Sequence, residues 1–234
     1  MVKFSFEVPL HHLKDFEEDQ DFLFTLSILY QYKEYREYVR NSNLELWIDN
    51  SYNETQEADS RETLRRLYEE YNPRYVIAPD SPHWPVEQLR TEFLRTAERI
   101  PRDRLILVIP DYRHYQVLRH LRPARWAVSY WVRRLWHDDE LTQLPNPHFL
   151  GMLDHTELSY LKPLTCDTSI PIKLGMMHMS FKDWYHEGAP HIHTKDLGHQ
   201  GDAFFRARMT DKQIQIAKDN IKYLKRRVNH VWED

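Results

Sequence analysis

The chain has 234 residues, 41% of them hydrophobic, and its formal net charge of −4 argues against a generally cationic nucleic-acid-binding protein. Neither G-x-G-x-x-G nor G-x-x-x-x-G-K-[ST] occurs, and the single cysteine, Cys166, excludes an intrachain disulfide and a cysteine-rich zinc site. The chain has no apolar run long enough to cross a membrane and no signal-peptide pattern, so we expect a cytoplasmic protein without a membrane partner.

The N-terminal part predicts one strand and one helix. Residues 3–8 alternate between apolar and polar side chains, which indicates a short strand. Residues 21–40 have apolar side chains at helical spacing and few helix breakers, which indicates one long amphipathic helix. We interpret the many tyrosines of this helix as packing residues.

Three apolar runs, each followed by an aspartate, come next at a constant interval of 31 residues. The runs and their aspartates are residues 44–48 with Asp49, residues 75–79 with Asp80, and residues 105–110 with Asp111. Helical patterns at residues 60–71 and 85–99 separate them. A strand followed by a helix at this interval is the unit of a parallel sheet, and such continuous apolar runs suit strands covered on both faces.

The same alternation continues toward the C-terminus. The further strands are predicted at residues 125–130, 148–153 and around 165–167, and the further helices at residues 112–121, 156–163 and 213–228. Residues 177–205 are irregular and rich in histidine, and we place an eighth strand near residues 195–205. The sequence therefore predicts an α/β fold, an irregular (β/α)8 barrel of the TIM type. It forms a single domain over residues 1–234, with residues 177–234 packed on it. A doubly wound open sheet is the alternative.

Acidic residues at strand ends define the candidate site. In both folds, the loops after the C-terminal ends of the strands form the site. Asp49, Asp80, Asp111 and Asp167 all follow or end apolar strands, so we expect them to converge, although each could also cap a helix. Two carboxylates about 5 Å apart suit double displacement at an anomeric carbon. The same set of oxygens could equally bind Mg²⁺.

The order of the motifs adds a resemblance to a known family. The segments are Ile48-Asp49-Asn50-Ser51, Ile77-Ala78-Pro79-Asp80, Val108-Ile109-Pro110-Asp111 and Cys166-Asp167-Thr168-Ser169-Ile170-Pro171. In this order they resemble the tRNA-guanine transglycosylase superfamily, most of all its small phage and bacterial members that insert 7-deazaguanine bases into DNA. The resemblance covers roughly residues 44–175. It implies an irregular (β/α)8 barrel that needs no cofactor.

The resemblance also implies a role for each segment. Asp167 corresponds to the nucleophile that attacks the sugar C1′ and holds a covalent glycosyl-enzyme intermediate. Asp49 corresponds to the acid/base that serves the leaving and incoming bases. Asp80 corresponds to the aspartate that accepts hydrogen bonds from the N1–H and amino group of guanine. The further residues expected to line the base pocket are Ser51, Tyr52 and Asp111.

The chain departs from the tRNA enzymes in ways that bear on the substrate. It cannot build their structural zinc site of three cysteines and a histidine, and the two glycines after their acid/base aspartate are Asn50 and Ser51 here. The missing zinc subdomain, which helps to grip tRNA, favours DNA as the partner, either single-stranded or with a flipped base. A free 7-deazaguanine base is the expected second substrate. The identity of that base and the oligomeric state stay open.

Four residues are expected to contact nucleic-acid phosphates: Arg133, Arg134, Lys195 and His199. Arg133 and Arg134 lie among tryptophans, a combination typical of proteins that bind single strands or flipped bases, although a solvated helix face explains these charges equally well. Lys195 and His199 belong to the histidine-rich segment of residues 178–199. Its His-x-His sequence could bind a metal, but its spacing matches no metal-site signature, so no metal is predicted.

The main hypothesis is a DNA guanine transglycosylase, a pentosyltransferase that exchanges guanine for a 7-deazaguanine base through an Asp167 glycosyl intermediate. Three alternatives stay open. One is a nucleoside or nucleotide ribosyltransferase or hydrolase that acts on a small molecule, which the lack of a basic composition would suit. Another is a metal-dependent hydrolase that uses the acids and the histidine-rich segment. The last is a non-catalytic nucleic-acid-binding protein that keeps the barrel.

Overall fold

Eight parallel strands form a nearly closed barrel in the computed structural model, which describes residues 1–152, 155–186 and 202–230. The strands are β1 (Lys3–Phe6), β2 (Leu23–Leu26), β3 (Leu46–Asp49), β4 (Tyr75–Ile77), β5 (Leu105–Val108), β6 (Arg125–Ser129), β7 (His148–Leu150) and β8 (Thr165–Thr168). They pair in the order β1-β8-β7-β6-β5-β4-β3-β2. The predicted (β/α)8 barrel is therefore confirmed, and the alternative of a doubly wound open sheet is wrong.

Helices connect most successive strands. They are α1 (Lys33–Asn41), α2 (Tyr52–Thr55), α3 (Arg61–Tyr71), α4 (Val86–Ala97), α5 (Tyr112–Leu118), α6 (Tyr130–Arg133), α7 (Asp138–Leu141), α8 (His155–Leu161), α9 (Ile170–Met176), α10 (Phe181–His186), α11 (Asp202–Phe205) and α12 (Asp211–His230). The barrel is irregular because 3-10 turns, Leu10–His12 and Lys14–Asp19, stand between β1 and β2 in place of an α-helix. None of the helices in the described ranges is both long and apolar enough to span a membrane.

Two predictions about the strands were wrong. Residues 21–40 do not form one helix, because they contain β2, a 3-10 turn (Ser27–Gln31) and α1. All four residues of β2 are buried, so this strand lacks the alternation that would have separated it from a helix. The predicted eighth strand near residues 195–205 is also corrected. Its described end forms α11, its first part lies outside the described residues, and β8 already pairs with β1.

The register of the strands decides which side chains share the barrel interior. His148 pairs with Thr165 across β7 and β8, and the rings of Trp47 and His148 lie 5.2 Å apart across the barrel. Side chains alternate along a strand. Asp167 and Asp49, two residues beyond Thr165 and Trp47, therefore point to the same side at the C-terminal end of the barrel. The rings of Phe22, Phe24 and Trp47 pack around His148 below these two aspartates.

Side chains close the gap between β1 and β2. The amide of Gln20 lies beside β1 like the peptide group of a neighbouring strand: its Oε1 accepts from the Phe6 N–H at 2.7 Å and its Nε2 donates to the Phe6 carbonyl at 3.0 Å. Ser5 completes the contact, since its Oγ donates to Gln20 Oε1 at 3.0 Å and accepts from the Phe24 N–H at 3.0 Å. In the described part of the chain, β1 and β2 do not pair with each other. These side-chain hydrogen bonds therefore close the barrel between them.

We expect Gln20→Leu to lower the free energy of unfolding by about 2–4 kcal/mol, because both backbone groups of Phe6 lose a buried partner. Urea unfolding followed by circular dichroism measures the change. Gln116→Leu is the matched control, since Gln116 is exposed on α5 and its replacement should change stability by less than about 0.5 kcal/mol. Equal stabilities for the two variants would contradict the role given to Gln20.

Candidate active site

Five acidic side chains gather at the C-terminal end of the barrel. They are Glu7 after β1, Asp49 at the end of β3, Glu54 on α2, Asp80 after β4 and Asp167 on β8. Burial and then the negative charges of Glu54, Asp80 and Asp167 raise the pKa of Asp49, which places these four groups within short electrostatic reach. Three aspartates predicted from strand ends thus share one site.

Asp167 is buried, and two groups approach its carboxylate. The Gly151 N–H points at its carboxylate, with distances of 3.3 Å to Oδ1 and 3.4 Å to Oδ2. In addition, Nε2 of His148 lies 3.2 Å from Oδ1. Gly151 has a φ of +69°, and a Cβ there would lie 2.9 Å from the Tyr130 ring, so glycine is required at this position. The loop after β7 therefore brings a backbone donor to the carboxylate.

A tight turn positions Asp49. Ser51 has a φ of +56°, and its N–H donates to Asp49 Oδ2 at 3.1 Å. The Ser51 hydroxyl faces the 3-10 turn after β2, where it lies 2.8 Å from the Ser27 hydroxyl and accepts from the Ile28 N–H at 3.1 Å. Ser27 in turn donates to the Asp59 carboxylate. The hydroxyl of Ser51, which was predicted to line the base pocket, thus fixes the turn that carries Asp49.

Asn50 joins the Asp49 turn to Asp80. Its Nδ2 donates to Asp80 Oδ1 at 2.6 Å and to the Ala78 carbonyl at 2.7 Å. Tyr52, the next predicted pocket residue, is half-buried, and its hydroxyl accepts from Ser81 Oγ at 3.3 Å. Ser81 directly follows Asp80, so both contacts tie the loop after β3 to the loop after β4.

Burial shifts the pKa values of the cluster in a way that keeps several acids neutral. It raises the pKa of Asp49 well above its usual range, of Asp80 to about 6, of Glu7 to about 7 and of Glu54 to about 8. Burial also lowers the pKa of Lys173 on α9 to about 8, against the opposing pull of the Glu7 and Glu54 carboxylates. Near neutral pH the site therefore contains proton donors and proton acceptors side by side.

Asp111 has a different setting from the other predicted aspartates. It caps α5, where its Oδ1 accepts from the His114 N–H at 2.9 Å and lies 2.8 Å from His114 Nδ1. Burial acts to raise its pKa, but the hydrogen bonds and charge of His114 outweigh burial, so the pKa falls below its usual range. About half of its side chain is exposed. The structure thus gives Asp111 the capping role that was the alternative for each strand-end aspartate.

The prediction that Arg133 contacts phosphate is corrected by its burial. Only 2% of this residue is exposed. Its guanidinium donates to the Val128 carbonyl at 2.6 Å and the Gly151 carbonyl at 2.7 Å, pairs with the Glu157 carboxylate, and lies over the Phe149 ring. Arg133 therefore supports the Gly151 loop from inside. The sequence did not reveal which of two adjacent arginines faces the core.

The phosphate contacts predicted for Arg134, Lys195 and His199 stay predictions. Arg134 is exposed, and its guanidinium lies 5.5 Å from the centre of the Trp131 ring, which is itself 51% exposed. Lys195 and His199 lie outside the described residues. Among the residues that the structure does describe, no group of three or more histidine, cysteine, aspartate or glutamate side chains is arranged to hold a metal ion.

Sequence reasoning missed four residues of this site: Glu7, Glu54, Lys173 and His148. Glu7 directly follows the apolar strand β1, so the strand-end rule could have found it. Lys173 stands between two buried apolar residues of α9, which is a signal for a functional lysine. Glu54 carried no such signal, because it lies in a polar loop sequence.

Comparison of the chain with protein-family models and with curated proteins gave no match. The functional argument therefore rests on the fold and the site. In (β/α)8 barrels that are enzymes, catalytic groups come from the C-terminal ends of different strands. The carboxyl cluster of this chain occupies that position, which makes it the candidate active site.

The buried acids predict how stability depends on pH. Folded Glu54 keeps its proton up to a pKa of about 8, whereas the unfolded chain releases it near 4.5. Between these values the folded state binds more protons, so its stability falls as the pH rises. We expect Glu54→Gln to match the wild type near pH 4 and to be more stable by at least about 1 kcal/mol at pH 8.

Urea unfolding at a series of pH values measures this difference. Glu98→Gln is the matched control, because Glu98 is exposed at the end of α4 and its replacement should leave the pH dependence unchanged. A Glu54→Gln curve that runs parallel to the wild-type curve over the whole range would show that Glu54 is not held protonated by the fold.

Proposed function

We propose that the protein is a base-exchanging transglycosylase that replaces guanine in DNA by a 7-deazaguanine base. The observation that carries the proposal is the meeting of Asp49, Asp80 and Asp167 at one buried barrel mouth. These are the residues to which the motif order gives the roles of acid/base, base recognition and nucleophile. The raised pKa of Asp49 adds support, because a general acid must hold its proton at the working pH.

In the first half-reaction, an oxygen of the Asp167 carboxylate attacks the sugar C1′ of the target nucleotide. The new C1′–O bond forms as the C1′–N9 bond breaks, and the electron pair of the broken bond goes to N9. Asp49, as a carboxylic acid, supplies the proton that neutralises the departing guanine. The products are free guanine, the Asp49 carboxylate and a glycosyl ester of Asp167.

The second half-reaction reverses these steps with a different base. The Asp49 carboxylate takes the N9 proton of the incoming 7-deazaguanine base. N9 then attacks C1′, and the C1′–O bond breaks with its electrons returning to Asp167. Both acids regain their starting states, so the exchange needs no net proton and no cofactor. Every group required for it comes from the carboxyl cluster.

Recognition of the base falls to Asp80. A carboxylate accepts two hydrogen bonds in the plane of its oxygens, which suits the adjacent N1–H and amino donors of guanine. This role requires the charged form, and a pKa of about 6 leaves Asp80 mostly charged at pH 7. The hydrogen bond from Asn50 supports that charge and fixes the orientation of the carboxylate.

A small nucleoside or nucleotide is the second candidate substrate. The observation that favours it is the burial of Arg133, which removes one of the two described residues expected to bind phosphate. The chain is also acidic overall, with a formal charge of −4. The same carboxyl groups would carry out the same displacement on a free nucleoside. The two candidates therefore differ outside the barrel mouth, at the surface that would receive the neighbouring nucleotides.

Asp167→Ala should abolish the release of radiolabelled guanine from DNA, with a loss of at least about a thousandfold, because no other group replaces the nucleophile. When the exchange reaction is stopped by denaturation, the wild-type protein should also carry a covalent DNA adduct that the variant lacks. Asp103→Ala, which removes an exposed aspartate on a 3-10 turn, is the matched control and should retain full exchange. Undiminished exchange by Asp167→Ala would reject the proposed function.

Trp131 allows a test of whether the substrate is DNA or a small nucleoside. It lies on α6, and its ring packs against Tyr130, which lies against Gly151 beside Asp167. If DNA is the substrate, Trp131 can stack on a neighbouring base, an interaction worth about 1–3 kcal/mol. We expect Trp131→Ala to raise the KM for an oligonucleotide by at least about fivefold and to leave guanine exchange from guanosine unchanged.

Tyr160→Ala is the control for this prediction, because Tyr160 is another exposed aromatic residue, near the end of α8. It should change neither KM. Equal effects of Trp131→Ala on the oligonucleotide and on the nucleoside would argue for the small-molecule candidate.

A further inference from the structure

His148 is a fully buried histidine that the proposed double displacement does not use. The register of β7 and β8 places it opposite Thr165, and Asp167 lies two residues further along the same face of β8. Its Nδ1 lies 2.9 Å from Thr165 Oγ1, and its Nε2 lies 3.2 Å from Asp167 Oδ1. The two ring nitrogens thus join a strand hydroxyl to the candidate nucleophile.

Aromatic side chains fix the plane of the His148 ring. Phe24 and Trp47 lie 5.3 Å and 5.2 Å from it, and Phe22 lies 6.2 Å away with its ring nearly perpendicular. An imidazole enclosed in this way has little freedom to turn. Packing against these rings, and not solvent, therefore sets the orientation in which its nitrogens face Thr165 and Asp167.

Nε2 of His148 has no well-aligned hydrogen bond to any described residue, although Asp167 Oδ1 is within 3.2 Å. A buried polar group in this state costs about 1–3 kcal/mol, so its retention calls for an explanation. One physical explanation is that the contact aligns when a substrate enters. Hydrogen bonds of catalytic groups are often long or poorly aligned before binding and tighten in the complex.

The Asp167 carboxylate decides which nitrogen of His148 carries the proton. When the hydroxyl donates to Nδ1, the proton sits on Nε2 and faces the Asp167 carboxylate, which is attractive. The opposite tautomer would direct the Nε2 lone pair at a carboxylate oxygen, which is repulsive. The Asp167 carboxylate therefore favours the Nε2–H tautomer, and the Thr165 hydroxyl supports it by donating to Nδ1.

We propose that Thr165 and His148 form a positioning pair that orients Asp167 for attack. The Nε2–H of His148 holds Oδ1, so that Oδ2 is the oxygen that bonds to C1′. His148 keeps its proton throughout: the C1′–Oδ2 bond forms, the C1′–N9 bond breaks, and Asp49 protonates N9. In the second half-reaction the same N–H stabilises the carboxylate as it leaves. The kinetic part of this inference rests on the proposed function.

The kinetic test compares substitutions that keep or remove the Nε2 donor. His148→Phe retains an aromatic ring without nitrogen, and we expect kcat for guanine exchange to fall about a hundredfold, as for loss of an aimed donor in other active sites. The KM for the incoming base should stay within about twofold. His148→Gln places an amide N–H near the Nε2 position and should recover at least about tenfold of the loss.

Two substitutions of Thr165 test its contact with Nδ1 of His148. Thr165→Val removes the hydroxyl and should lower kcat about tenfold, whereas Thr165→Ser should remain near the wild type. A wild-type protein that exchanges guanine, together with a His148→Phe variant of undiminished kcat, would overturn the positioning pair. If His148→Phe does not fold, the Thr165→Val and Thr165→Ser results decide the matter, because these variants keep the imidazole.

A readout without activity separates this inference from the proposed function. Nitrogen-15 NMR of the imidazole should show the Nε2–H tautomer for His148 in the wild type and a weaker preference for it in Thr165→Val. Asp167→Asn should shift the Nε2 resonance. An Nδ1–H tautomer in the wild type overturns the pair, even if guanine exchange is found. The expected tautomer in a protein without exchange supports the pair as a device for orienting Asp167 and rejects the proposed reaction.

Discussion

The burial of like charges at one barrel mouth is the constraint to which the rest of the site responds. Parallel strands end at the same edge, so acids at successive strand ends are forced together and away from water. Two features of the described structure reduce the free-energy cost of burying these carboxyl groups together. Burial raises the pKa of Asp49, Glu7 and Glu54, which keeps them neutral over part of the pH range, and Lys173 brings a positive charge among them. Donors from the loops then support the groups that remain charged.

Those loop donors depend on backbone conformations that few residues adopt. Ser51 and Gly151 both have positive φ, and each directs its N–H toward an aspartate of the cluster. For a serine this conformation is unfavourable, and the contacts of its hydroxyl with Ser27 and Ile28 hold it in place. The polar contacts behind the mouth are therefore part of the active-site geometry, since they fix the turns that aim the donors.

The sequence predicted the parts of this structure that depend on local pattern. Continuous apolar runs gave β3 to β8 correctly in order, and the strand-end rule brought Asp49, Asp80 and Asp167 to one mouth. The short buried strand β2 was missed because four buried residues have no period. The closure by Gln20 and the pairing of Arg133 with Glu157 join residues far apart in the chain, and no local pattern encodes such contacts.

Asp49 and Asp80 show how the environment, and not the residue type, can give two aspartates different protonation states. Both are buried aspartates at the ends of neighbouring strands, and burial raises the pKa of each, that of Asp80 to about 6 and that of Asp49 well above its usual range. Their partners differ, because the Asn50 amide donates to Asp80, whereas Asp49 receives one backbone N–H and faces three other carboxyl groups. Asn50 thereby favours the charged form at Asp80. The proton stays on Asp49, where the proposed base exchange needs an acid.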